Sequence, residues 1–294
     1  MTKLMFFGTE DFSVPTLQKL IEANYKIVAA VTKPDTLRGR GHKLDQPAVK
    51  KNAAVNNIKV LQPAKVTEIL PEIQKLQPEV GVLVSYGKII PESIIEAFPK
   101  GIINIHPSLL PIYRGPSPIE SAILNGDKVT GISIMSLEKA MDAGPVYLQE
   151  HIELSGIETK NELYDHFSRQ GAKLLIENLP RILDGSIKST SQDESEATYC
   201  QMITKSDGDL DPITMTADEC ERRIRAFIGW PKTRINLLGK NIIVTKARVL
   251  ADFSGDKWPD VILCKNNSAL EITEIVSPNG KQMKTADYFR GLRQ

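Results

Sequence analysis

Three side chains in this sequence have the types and spacing to act together on one ligand. Asn104 and His106 lie in the segment 101–115, GIINIHPSLLPIYRG, where an apolar run gives way to a proline-bounded loop. Two positions apart on an extended chain, their side chains point to the same side. An amide donor and an imidazole then face one ligand, and histidine is the side chain whose ordinary pKa suits proton transfer at neutral pH. Asp142 follows 36 positions after His106 (142 minus 106), in the turn Met141-Asp142-Ala143-Gly144-Pro145. A carboxylate beside an imidazole fixes its tautomer and favours its charged form. Taken singly, a strand-end histidine most often satisfies a backbone group, and an aspartate before Ala-Gly is most often a turn residue.

These residues need a frame. Lys3–Gly8, Lys26–Thr32, Val80–Ser85 and Ile102–Ile105 are short apolar runs separated by helical patterns such as Phe12, Leu17, Leu20 and Ile21. Strands apolar on both faces and alternating with helices predict a mostly parallel sheet of Rossmann-like α/β type, where ligands bind beyond the carboxyl ends of the strands. Val129–Leu137 and Val146–Leu154 are two further strands flanking the Asp142 turn, and Thr159-x-x-Glu162 is a capping box that opens a helix. A polar stretch, Ser186–Ala197, marks a linker. Beyond it, Thr216-x-x-Glu219 opens another helix, followed by the short runs Arg234–Leu238, Asn241–Val249, Val261–Leu263 and Leu270–Val276 with turn residues between them. Short strands joined by tight turns predict a small barrel of the oligonucleotide-binding (OB-like) type. The expected organisation is therefore a domain over 1–189, a linker over 190–206 and a β-barrel domain over 207–294.

Composition narrows the function classes. The chain has 37 Lys plus Arg against 36 Asp plus Glu, so any nucleic-acid site must be a local patch. Two such patches stand out. Residues 33–51 carry Lys33, Arg38, Arg40, Lys43, Lys50 and Lys51 against Asp35 and Asp45, and are expected to form a basic loop. Residues 221–250 hold eight bases, among them Arg222, Arg223, Arg225, Lys232 and Arg234, against the single acid Glu221, a net charge of +7 (eight minus one). Either run is, by default, a solvated face. The three cysteines form no C-x-x-C pair, which points to reduced thiols and away from zinc. No signal-peptide core and no apolar stretch of about 20 residues is present, so a cytoplasmic protein without a membrane span is expected.

N-x-H followed by SLLP, with a later D-A-G, is the pattern of the folate-dependent formyltransferases. The chain resembles that family, and within it the members that formylate methionyl-tRNA, over essentially its whole length. The matching segments are FFGTEDF (6–12), VTKPD (31–35), RGRGHKL (38–44), VSYGKIIP (84–91), NIHPSLLPIYRGPSPI (104–119) and DAG (142–144). The resemblance implies formyl transfer from 10-formyltetrahydrofolate to the α-amine of methionyl-initiator tRNA, without a metal, with Asn104, His106 and Asp142 as the catalytic trio. It implies folate contacts from Ser85, Tyr86, Gly87, Lys88, Ile89 and Ile90, from Ser108, Leu109, Leu110 and Pro111, and from Lys139, Ala140 and Met141. It implies tRNA contacts from Arg38, Arg40 and Lys43, and from Arg222, Arg223, Arg225, Lys232 and Arg234, in an enzyme that acts as a monomer. One departure is Ile228-Gly229-Trp230-Pro231, where the family usually carries an Asn-Pro-Trp-Pro-like stretch.

Three rival functions remain at this stage. Another folate-dependent amine formyltransferase, acting on a sugar nucleotide or a purine precursor, shares the trio but needs neither basic patch. A dinucleotide oxidoreductase requires G-x-G-x-x-G after the first strand, whereas this chain has Gly8-Thr9-Glu10-Asp11, one glycine and two acids. A non-catalytic RNA-binding protein leaves the three matching catalytic residue types unexplained.

Overall fold

In the computed structural model, which describes residues 2–38, 43–237, 239–251, 253 and 260–291, the apolar runs become strands. In chain order the first part comprises β1 (Lys3–Gly8), α1 (Val14–Glu22), β2 (Lys26–Val31), β3 (Thr36–Arg38), β4 (Lys43–Asp45), α2 (Ala48–Val55), β5 (Val60–Leu61) and α3 (Leu70–Leu76). It continues through β6 (Val80–Val84), α4 (Glu92–Ile95), β7 (Ile102–His106), α5 (Pro118–Asn125), β8 (Val129–Ser136), β9 (Val146–Glu153) and α6 (Lys160–Leu183). Seven strands form one sheet in the order β5-β2-β1-β6-β7-β8-β9. β1 runs parallel to β2 and β6, and β6 parallel to β7, while β7 and β8 are antiparallel. All five residues of β7 are buried, as a strand covered on both faces must be. Met5, Phe7, Val31, Tyr86, Ile94 and Ile102 belong to one core cluster on this sheet. Burying each such large apolar side chain contributes about 1.5–3 kcal/mol.

The remainder comprises α7 (Ala217–Ala226), β10 (Thr233–Leu237), β11 (Lys240–Leu250), β12 (Val261–Leu263), β13 (Ala269–Val276), β14 (Gln282–Lys284) and α8 (Thr285–Gly291). Its strands make a five-stranded antiparallel sheet, β10-β11-β13-β12 with β14 also on β13. Helix α7 starts at the predicted capping box: Thr216 Oγ1 accepts from Glu219 N–H, and the Glu219 carboxylate accepts from Thr216 N–H. Cys220 and Ile224 of α7 join Ile242, Leu270, Ile272 and Ile275 in a second core. All three cysteines are free and buried. Among the described residues, no helix is long and apolar enough to cross a membrane.

One expectation needs correction. The basic segment 33–51 is not simply a loop: β3 and β4 form a hairpin, with Thr36 opposite Asp45, Leu37 opposite Leu44 and Arg38 opposite Lys43, and α2 begins at Ala48. Three-residue strands are held by backbone pairing and leave almost no apolar alternation to read. The compact units are discontinuous. One holds 1–116, 130–152 and 164–200, and the other holds 117–129, 153–163 and 201–294. The physical reason is α5, which packs on α7 and buries Ile119, Ala122 and Ile123.

Candidate active site

The end of β7 carries the predicted pair. Asn104 lies opposite Leu83 of β6 and Met135 of β8, and His106 lies opposite Ser133 of β8, so pairing continues one residue past the apolar run. Asn104 is 5% exposed and His106 4%. Asn104 makes no side-chain hydrogen bond among the described residues. Its amide donors are therefore free to bond a ligand. His106 Nε2 is 2.9 Å from the Tyr113 carbonyl. A carbonyl oxygen only accepts, so Nε2 carries the hydrogen and donates, and Nδ1 is the nitrogen open to gain a proton. That Nδ1 lies 3.8 Å from Asp142 Oδ2.

Asp142 is held in place. Its φ of +50° is left-handed, a conformation that costs energy outside glycine. Its Oδ2 accepts from Gly115 N–H at 2.9 Å. Gly115 has φ +120°, and a Cβ there would stand 2.5 Å from the Cys200 carbonyl oxygen. Below the histidine, Ser133 is a buried hub: its Oγ donates to the Ser108 carbonyl and accepts from Leu110 N–H and from Gln149 Nε2. These bonds shape the loop that carries His106 toward Tyr113.

The residues expected to touch folate divide into two kinds. Ser108, Leu110 and Pro111 are bonded within their own loop and its surroundings: Ser108 Oγ donates to the Ile112 carbonyl, and the Leu110 and Pro111 carbonyls accept from Gln149 and Thr198. Leu109 presses on Gly131, where a Cβ would stand 2.4 Å from its Cδ2. Ser85 is exposed, with φ +45°. The Tyr86 ring is buried edge-on to Phe7, and burial pushes its hydroxyl pKa up to about 12. Lys88 Nζ donates to the Pro63 and Ala64 carbonyls, and Ile90 is buried. In contrast, Ile89 is 86% exposed and Met141, next to the exposed Ala140, is 59% exposed. Lys139 Nζ donates to Glu92 at 2.9 Å, tying the loop before Asp142 to the segment after Ile90. Sequence reasoning counted Lys33 only in the basic run and missed its place beside the folate residues: its Nζ stands 2.3 Å from where a Gly87 Cβ would lie. It also missed Arg114 and Gln192, which meet behind Asp142.

Comparison with known proteins matches the formyl transferase family to residues 2–179 and the formyl transferase C-terminal domain to residues 202–293. The chain belongs to the formyl transferase family. A methionyl-tRNA formyltransferase of Sulfurihydrogenibium sp. (strain YO3AOP1) is 37% identical, over 99% of this chain and 97% of its own. One from Bacillus subtilis (strain 168) is 36% identical, over 99% and 95%. Among solved structures, the N-formyltransferase of Helicobacter canadensis, in complex with folinic acid and dTDP-3-aminofucose, superposes with a TM-score of 0.71 at 20% identity, covering 92% of this chain and 99% of its own. At that identity the last comparison speaks for the fold alone.

Four of the eight basic residues expected to meet tRNA have internal partners. Arg225 Nε donates to both Glu221 oxygens and its Nη1 to the Glu158 carbonyl. Arg234 donates to Asp209 and to the Lys205 carbonyl. Arg222 and Arg223 donate to the carbonyls of Leu124 and Asp207. The Lys232 side chain is exposed and makes no hydrogen bond or ion pair with a described residue. From α2, Lys50 pairs with Asp35 at 2.6 Å and Lys51 with Asp45 at 3.7 Å. Arg38 and Lys43 are paired in the backbone register of β3 and β4, and Arg40 lies outside the described residues.

Proposed function

We propose that this chain transfers the formyl group of 10-formyltetrahydrofolate to the α-amino group of methionyl-initiator tRNA, giving N-formylmethionyl-tRNA. The observation that carries this reading is the cluster at the end of β7: an idle, buried amide beside an imidazole that faces a carboxylate 3.8 Å away. The choice of acceptor rests on the near full-length similarity to methionyl-tRNA formyltransferases.

The folate supplies an activated formyl group, and the attacking amine comes from the aminoacyl ester. Asn104 donates its amide hydrogens to the formyl oxygen as negative charge builds there. His106 takes a proton from the amine on Nδ1 and passes it toward the leaving nitrogen, while its Nε2–H stays on the Tyr113 carbonyl. Asp142 stabilises the imidazolium that this creates. No covalent bond to the enzyme is required.

Two features fit a folate. Ile89 and Met141 are apolar and largely exposed, on loops joined by the Lys139–Glu92 ion pair, and so suit the face of a flat ring. The Lys33 ammonium beside Gly87 suits an anionic or carbonyl-bearing ligand. Ser85–Ile90, Ser108–Pro111 and Lys139–Met141 would hold it, the buried members by shaping the backbone. For tRNA we assign phosphate contacts to Arg38, Arg40, Lys43 and Lys232, with Arg222, Arg223, Arg225 and Arg234 adding fixed positive charge. Catalysis belongs to 1–189, with 190–206 as the connection and 207–294 as the RNA-binding part. Three free thiols suit a cytoplasmic enzyme, acting as a monomer.

An assay with 10-formyltetrahydrofolate and charged initiator tRNA, free methionine or an amino-sugar nucleotide tests the assignment. Only charged tRNA should be a good acceptor, and Arg40→Ala should impair tRNA turnover far more than folate binding. Preferential formylation of the sugar nucleotide would replace the proposal with a different acceptor.

A further inference from the structure

The geometry points to Gln192, clamped by Arg114, as the residue that positions Asp142 for catalysis. The inference rests on the catalytic reading of Asp142 above. Arg114 is the largest fully buried side chain among the described residues, and it is charged. Its Nη1 and Nη2 grip the Glu194 carboxylate at 2.9 and 2.7 Å, and Nη1 also donates to the Tyr199 hydroxyl at 3.1 Å. Its Nε and Nη2 both donate to Gln192 Oε1, at 3.0 and 2.9 Å. The opposite end of that amide, Nε2, donates to the carbonyls of Asp142 at 2.8 Å and Gly144 at 2.7 Å.

Chemistry fixes the direction of every bond in this chain. A guanidinium only donates and a carbonyl only accepts, so the Gln192 amide has one possible orientation. It grips the left-handed turn at both ends: at Asp142, and at Gly144, where a Cβ would lie 1.9 Å from the Ser136 carbonyl oxygen. Asp142 is thus fixed twice, its carboxylate by Gly115 N–H and its carbonyl by Gln192. Arg114 and Gly115 are neighbours, so one short segment anchors both restraints. Gln192 reaches neither Asn104 nor His106 by any described bond. It is a positioning residue that acts through Asp142, and a displacement of about 1 Å at a reacting group costs on the order of 100-fold in rate.

The test is a double-mutant cycle in the full-length enzyme, read as kcat and KM with charged initiator tRNA. Gln192→Ala should lower kcat about 100-fold while KM for tRNA stays within twofold. In an Asp142→Asn background the same change should cost less than twofold, because the group it positions is already lost. Gln192→Glu guards against misfolding: it keeps the Arg114 pairing but sets a carboxylate against two carbonyls. It should lose comparable kcat while remaining folded at the assay temperature by circular dichroism. Equal losses in both backgrounds, or no loss at all, would overturn the proposal. Full activity in Asp142→Asn alone would instead overturn the catalytic reading on which it rests.

Discussion

The end of β7 and the exposed side of α7 treat their polar groups in opposite ways. At β7 a buried amide is left without a partner, and an imidazole presents one nitrogen to a carboxylate beyond hydrogen-bond distance. On α7, where the sequence concentrates positive charge, every arginine is bonded to a carbonyl or a carboxylate of the protein. Charge by count marks where ions can gather. Unsatisfied groups held rigid mark where a ligand completes the hydrogen bonding. The contrast predicts that the first region serves activity and that the second does mainly structural work.

The largest effect should come from Asn104→Ala. With no internal bond to lose, the variant should keep its Tm while kcat falls about 100- to 1,000-fold, the usual cost of one oxyanion donor. Thermal unfolding beside single-turnover kinetics would separate the two, and a matching drop in Tm would break the contrast. Arg225→Ala should do the reverse. Removing a largely buried guanidinium from Glu221 and the Glu158 carbonyl should lower stability by about 1.5–3 kcal/mol, measured by denaturant unfolding, with kcat on saturating tRNA little changed.

Glu158 sharpens the point through pH. Burial pushes its carboxyl pKa up, but hydrogen bonds from Ser155 O–H and N–H and from Gly156 N–H outweigh that and hold it at about 2, against an ordinary 4.5. Its folded-state pKa is depressed, so its contribution is complete above pH 4.5 and disappears as pH falls toward 2. Glu158→Gln should lower stability at pH 7 and flatten the acid limb of an unfolding series across that window. The smallest effect belongs to Lys232→Ala, which has no internal partner to lose. Tm should hold, tRNA affinity should weaken modestly, and the slope of log affinity against log salt should shrink by about 1.

What the sequence made legible follows physical range. β1 matches its apolar run residue for residue, and both capping boxes are present, because alternation, burial and capping are local. Asn104 and His106 were legible through strand geometry, which fixes the side of each residue. The β3–β4 hairpin was not, since Leu37 and Leu44 are its only apolar pair. Gln192 was hidden in a stretch whose Ser, Gln, Asp and Glu content is that of a tether. Its bonds to Arg114, 78 positions away, have no local signature.

The division of the chain into interleaved units bears on synthesis. Passing from 116 to 117, 129 to 130, 152 to 153, 163 to 164 and 200 to 201, the polypeptide changes unit five times. As it emerges from the ribosome, α5, with Ile119, Ala122 and Ile123 buried in the finished fold, is made long before α7, the helix it packs on. For the time needed to make about a hundred further residues, at roughly 5–20 per second, that apolar face has no native cover. A nascent chain stalled near residue 190 should therefore draw chaperones, and should be released from them once α7 has been made.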